Sequence, residues 1–291
     1  MAENSSVGPP WGLQSHMGLR INTNLASLTA QRNLFSAGLQ ANKSIGRLGS
    51  GLRIQTAADD AAGLAISERM DMHARSWAQV ERNISDGIGL AHYVEGIYSE
   101  VGDMVARLRE LATHSMTGTI SDADRASLQL EAAQIIAEVD RIADGTHYNG
   151  LDGIPVGDGS IFRVPIQVGI DAGETVFVRL TSLQPNALNL DTVDLSTQAG
   201  AGASLTGIET AIQRLARGRG KIGADLHVLD SAAANASFNR TGLENATSRI
   251  RDVDIASESA ELVRANLLQE IATKVLAQAN IQPQLALKLL Q

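Results

Sequence analysis

The run Gly218-Arg219-Gly220-Lys221-Ile222-Gly223 matches the dinucleotide-binding fingerprint letter for letter. Such glycines cradle a phosphate only where a strand ends and a helix begins, because the anion sits on the N–H groups of a helix N-terminus. No strand pattern precedes Gly218, and an apolar heptad runs through the motif from Leu215 to Leu226, so these glycines read as helix interior. Asp59 and Asp60 set two carboxylates side by side, as general acid and base catalysis requires. Adjacent acids just ahead of a helical pattern are instead what capping and the helix dipole favour. The six histidines are scattered, with no His-Glu-x-x-His and no other close ligand pair. There are no cysteines, which removes disulfides, thiolate metal sites and cysteine nucleophiles together. Sequons at Asn83, Asn235, Asn239 and Asn245 fall in predicted helices and read as chance matches. The sequence therefore predicts no catalytic residue, no cofactor and no metal.

The elements that carry these residues suit assembly better. Aromatics are 3% of the chain, a composition for long helices packed through thin seams. The net charge of -8, with no basic stripe, argues against nucleic acid or an anionic membrane as partner. No run approaches the roughly 18 apolar residues of a membrane span, and the first residues lack the basic start and apolar stretch of a cleaved signal. Residues 1–16 read as an extension or an added tail ahead of Met17.

A weakly charged amphipathic helix is predicted over residues 25–52, with Leu28, Phe35, Leu39, Ile45, Leu48 and Leu52 near heptad phase. Gly49, Ser50 and Gly51 interrupt it, and Asp59 or Asp60 caps the next helix near Ala61. That helix carries Leu90, Val94, Ile97, Val101, Met104, Leu108 and Leu111 in strict alternation of four and three and ends at Thr117-Gly118-Thr119. Ser121 and Asp124 open a third helix, closed by Gly145. Between residues 161 and 183 the apolar period falls to two on either side of Asp171-Ala172-Gly173-Glu174, a β-hairpin in which Pro165 needs an edge. Residues 184–203 read as an exposed connection, and Thr206 with Glu209 reads as the capping box of a last long helix. Its heptad runs Ile208, Ile212, Leu215, Ile222, Leu226, Leu229, Ala233, Ala236, Leu243 and Ile250, with Arg219, Arg240 and Thr247 filling the gaps.

The chain is organised around residues 262–291. Leu268, Ile271, Val275, Gln278, Gln282, Leu285 and Leu289 step by three and four like a coiled-coil seam, while Leu262, Val263, Leu267, Leu276 and Ile281 lie off it. A helix apolar on several faces cannot recover its ordering entropy from one partner. The helix over residues 25–52 is its natural partner within the chain, and other copies must cover the rest. The fold class expected is mainly α: an elongated antiparallel helical bundle with one β-hairpin, plus a helical pair formed by the two termini.

Several blocks resemble the bacterial flagellins over nearly all of residues 17–291. They are Ile21-Asn22-Thr23-Asn24 with Ala30-Gln31-Arg32-Asn33-Leu34; Arg47-Leu48-Gly49-Ser50-Gly51-Leu52-Arg53-Ile54 followed by residues 57–63; Val168-Gly169 with Ala172-Gly173-Glu174-Thr175; Arg249-Ile250-Arg251-Asp252-Val253-Asp254; and Val275-Leu276-Ala277-Gln278-Ala279-Asn280. The resemblance implies a secreted, extracellular filament subunit with no enzymatic role. It implies an inner domain over 17–60 and 252–291 and a helical rod over 61–251. The self-assembly residues would then be Leu28, Phe35, Leu39, Leu48, Leu268, Ile271, Val275, Leu285 and Leu289. Expected partners are other copies, an export chaperone on the C-terminal helix, a cap protein and hook-associated proteins. Arg107, Leu111 and Glu131 are similar to a segment that a vertebrate Toll-like receptor reads in some flagellins. A hook-filament junction protein of the same architecture is the alternative. Little stands where many flagellins carry large outer domains, so a short form is expected.

Overall fold

The structure, a computed structural model, describes residues 23–149, 151–152 and 161–289. The tail expected over residues 1–16 lies outside them. In chain order the elements are α1 (Leu25–Ser50), α2 (Ala61–Ser115), α3 (Asp122–Gly145), β1 (His147–Tyr148), β2 (Leu151–Asp152), β3 (Ile161–Gln167), β4 (Thr175–Thr181), α4 (Pro185–Leu188), α5 (Gln198–Arg251) and α6 (Ile255–Leu289). They form two compact units, one built from the chain ends up to Ile66 and from Ser248 onward, the other from Ser67–Thr247.

In the first unit α1 starts where the Asn24 side chain accepts the Ser27 N–H, at 3.0 Å. It stops at Gly51, whose φ of 73° suits a residue without Cβ and returns its N–H to the Arg47 carbonyl at 2.9 Å. Asp254 caps α6 by accepting the Ala256 N–H at 3.0 Å. The two helices lie antiparallel: Asn24 donates to the Ala279 carbonyl at 2.7 Å near one end, and Arg47 meets Glu258 at 3.5 Å near the other. Beyond α1 the backbone pairs again, with Arg53 N–H on the Arg251 carbonyl at 2.7 Å and Val253 N–H on the Gly51 carbonyl at 3.0 Å.

Of the two adjacent acids only Asp60 is a cap, accepting the Gly63 N–H at 2.9 Å. Asp59 is bound by Lys43 at 2.7 Å and accepts the Thr56 N–H and hydroxyl, both at 3.2 Å. The contact with Lys43, followed by those from Thr56, holds its carboxyl far below the usual carboxylate range.

In the second unit α2 and α5 run antiparallel, marked by Arg240 with Glu81 at 3.2 Å and Arg109 with Glu209 at 3.6 Å. α3 opens with a full capping box between Ser121 and Asp124. It is tied back to α2 by buried Arg125, which donates to the Ser115 and Thr117 carbonyls, each at 3.0 Å. The core holds the predicted α2 row, with Leu90, Val94, Val101, Leu108 and Leu111 buried. β3 and β4 pair antiparallel from Ile161↔Thr181 to Gln167↔Thr175, with Gly173 at φ 91° between them. Pro165 sits opposite Phe177 in this two-stranded sheet.

Four expectations need correction. Residues 184–203 are not an exposed connection: Leu188, Leu190, Val193 and Leu195 are buried, and Ser115 donates to the Leu195 carbonyl at 2.7 Å while Gln129 accepts the Leu195 N–H at 2.6 Å. The Asn, Asp and Thr residues between these positions hide a period that four apolar side chains nonetheless satisfy. Thr206 does not open α5, which begins eight residues earlier at Gln198. Thr197 is the cap there, its hydroxyl accepting the Gly200 N–H at 3.0 Å. The α5 seam keeps the predicted row Ile208, Leu215, Ile222, Leu229 and Ala236, and predicted Ile212, Leu226 and Ala233 pack half-buried against the core, but Ala211, Gly218 and Asp225, outside the predicted heptad, are buried while Arg219 is exposed. Gly218 makes room there for the Tyr98 ring of α2, and Asp225 holds Arg179 of β4. Finally, a second hairpin is present besides the expected one, with Tyr148↔Leu151 paired on either side of the Asn149-Gly150 turn signal in the sequence.

Candidate assembly surface

The helical pair of the first unit is held together by small side chains. Ser27, Ala30, Ala37, Ala41 and Ser44 of α1 are buried, and α6 answers with Ala265, Ala272 and Ala279 at seven-residue intervals. Half-buried Leu34, Leu48, Leu262 and Leu276 fill the alternate positions. A seam of alanine brings two helices close and leaves little width for large groups.

This corrects the expected pairing within the chain. The predicted seam residues Leu268, Ile271 and Val275 are exposed, as are Leu28, Phe35 and Leu39 of α1. Phe35 is 70% exposed and Ile271 55%. Leu48 alone among the described assembly candidates turns part-way inward; the side chains of Leu285 and Leu289 lie outside the described residues. The period was right and the phase was wrong, because both helices carry two interleaved rows at the same spacing. Large residues drew the eye, whereas the geometry of a close pair selects the alanines.

The outer surfaces of α1 and α6 are therefore rich in large apolar groups. Leu25, Ile45, Ile255, Val263, Leu267 and Ile281 join the six exposed candidates. Apolar exposure on this scale marks a surface that another molecule covers.

In the second unit Arg107 meets Glu131 at 2.8 Å and Glu110 at 2.9 Å, and the Glu131 contact raises the guanidinium pKa. Leu111, the third member of the suggested receptor patch, is 3% exposed and belongs to the core. The structure thus brings Arg107 and Glu131 together at the surface and sets Leu111 beneath them. The dinucleotide-like glycines lie within α5, where Gly218 is pressed against the Tyr98 ring. That contact explains the glycine without any nucleotide.

A model of the bacterial flagellin N-terminal helical region matches residues 21–152, and one of the C-terminal helical region matches residues 205–290. The chain belongs to the bacterial flagellin family. It is 38% identical to a flagellin of Halalkalibacterium halodurans, the match covering 93% of this chain and 99% of that one. With the flagellin of Bacillus subtilis it shares 34% identity, over 94% of this chain and 100% of the relative. A solved Vibrio parahaemolyticus structure assigned as a flagellar hook-associated protein superposes with a TM-score of 0.55 at 15% identity, covering 67% of this chain and 100% of its own, and so shares the fold. Only residues 153–204 separate the two matched regions, so this flagellin is a short form without a large central insertion. A flagellin is a structural subunit of a filament.

Proposed function

We propose that this flagellin builds its filament by burying the outward rows of α1 and α6 against other copies. The observation that carries this is the division of labour in the pair: alanines face inward and Phe35, Leu39, Leu268, Ile271 and Val275 face out. Contacts of this kind between different surfaces of identical subunits propagate into a helical tube. On this reading residues 17–60 and 252–291 form the inner domain and residues 61–251 the rod. Assembly then completes the ordering that the alanine seam begins in the monomer, as in coupled folding and binding.

The same reading places the protein outside the cell, in the filament, with no catalytic role. Its accessory partners are an export chaperone on the C-terminal helix, a cap protein at the growing tip and hook-associated proteins at the base. The Arg107 and Glu131 pair is offered either to a Toll-like receptor or, with stronger support from its intact ion pair, to a neighbouring subunit. Seeded growth tests the central point. Purified protein should elongate sheared filament seeds into long polymers; a protein that caps seeds without elongating them is a junction protein instead.

A further inference from the structure

A cleft of about 600 Å³ opens in the second unit between α5 and the segment that carries α4. Its α5 wall bears Arg214, Arg217 and Lys221, spaced by three and four and hence on one helix face. Asn186 and Asn189 line the other side, with Tyr98 between. Among the described residues no Asp or Glu lines it, in a chain whose net charge is -8.

The hydrogen bonding of these groups is one-sided. Arg214 is part of the wall, donating to the Ala187 carbonyl at the end of α4 and to the Asn189 side-chain oxygen. The Asn186 side-chain oxygen accepts the Ala187 N–H at 2.5 Å. Both asparagines thus commit their acceptors to the protein and keep their NH2 groups as donors. Arg217 donates Nε to the Gln213 carbonyl one turn back, at 3.2 Å, and its terminal nitrogens make no ion pair among the described residues. Lys221 makes none either. Asp225, one turn further along α5, is engaged by Arg179, and Glu95 of α2 meets Arg219 at 3.9 Å.

A cleft whose charged side chains are all cations, with amide donors beside them and no carboxylate among its described lining, fits an oxyanion. We propose that it takes a carboxylate or phosphate group. The group arrives either on a free anion or on an acidic side chain of another copy. The second source rests on the filament reading above; the first does not.

Calorimetry on the full-length monomer with inorganic phosphate and pyrophosphate reads the free source. Saturable binding that weakens by about tenfold or more in Arg217→Gln/Lys221→Gln supports it. Seeded elongation over a salt series reads the other source: wild-type growth should weaken with salt, and Lys221→Glu should slow growth and flatten that dependence. Wild type that fails to elongate at all counts against the filament reading and leaves the calorimetric arm standing. Should the double variant misfold, protection of the Lys221 amine from acetylation by pyrophosphate in the unaltered chain reports on the same site. The proposal is overturned if neither probe binds or protects Lys221 and wild-type elongation is indifferent to Lys221→Glu.

Discussion

Asp225 of α5 grips Arg179 of β4 through both carboxylate oxygens, Oδ2 accepting the Arg179 backbone N–H at 2.9 Å and Oδ1 accepting Nε at 3.0 Å. The aspartate stands in the apolar seam of α5 with a side chain only 3% exposed, while the arginine remains 42% exposed. One ion pair therefore pins the hairpin to the helix and satisfies a carboxylate that no water reaches. Asp225→Ala should lower stability by about 2–3 kcal/mol, less than for a fully buried pair because the orphaned Arg179 still reaches water. Urea unfolding followed by far-ultraviolet circular dichroism measures this, and a change under 0.5 kcal/mol would show that the pair is incidental.

Tyr98 fixes the next contact along the same seam. Its hydroxyl donates to the Thr181 carbonyl at 2.6 Å and accepts the Thr181 N–H at 2.9 Å, so the ring cannot swing away from Gly218. Gly218→Ala puts a methyl into that ring and should cost about 1–3 kcal/mol despite the better helix propensity of alanine. Gly220→Ala, which meets nothing nearby, should instead stabilise by a few tenths to about 1 kcal/mol. Thermal unfolding of the two variants should move in opposite directions.

Acid should loosen the first unit through Asp59. Its folded-state pKa is depressed, chiefly by Lys43, so its contribution is complete above the ordinary carboxylate value of about 3.9 and is lost as pH falls towards the folded value. Asp59→Asn should lose this contribution at neutral pH and flatten the decline below about pH 4. Hydrogen exchange at α1 amides near Lys43, compared between pH 3 and pH 6, checks the sign.

The alanine seam makes a prediction about width. Ala272→Leu forces a branched side chain between α1 and α6 and should destabilise the pair by about 1–3 kcal/mol. Ile271→Ala, one position away, should leave the monomer's helix content unchanged because that side chain is exposed. Circular dichroism of the free monomers separates the two.

Which features were legible follows from what each residue signals. The α2 row from Leu90 to Leu111, the caps at Ser121 and Asp60 and the hairpin around Gly173 announce themselves, since large apolar groups at a fixed period and residues able to cap or take positive φ have few other uses. The sequence misled where small residues decide the packing. Ala265, Ala272 and Ala279 lie beside a louder row of leucine, isoleucine and valine, and the α5 seam also runs through Gly218 and a buried Asp225 that no apolar pattern marks. The segment ending at Leu195 was missed because its hydrogen-bond partners, Ser115 and Gln129, come from distant helices. Of the assembly surface the residue types were legible but not their direction, since two equal periods in one helix leave the phase to tertiary contact.

The most direct test is the critical concentration for seeded elongation of the Phe35→Ser/Ile271→Ser variant, with monomer helix content recorded alongside. Each of these side chains, buried on assembly, is worth about 1.5–3 kcal/mol, so the critical concentration should rise by at least about tenfold while the monomer's circular dichroism stays as in wild type. Elongation at the wild-type critical concentration would contradict the claim that the outward rows of α1 and α6 hold the filament together.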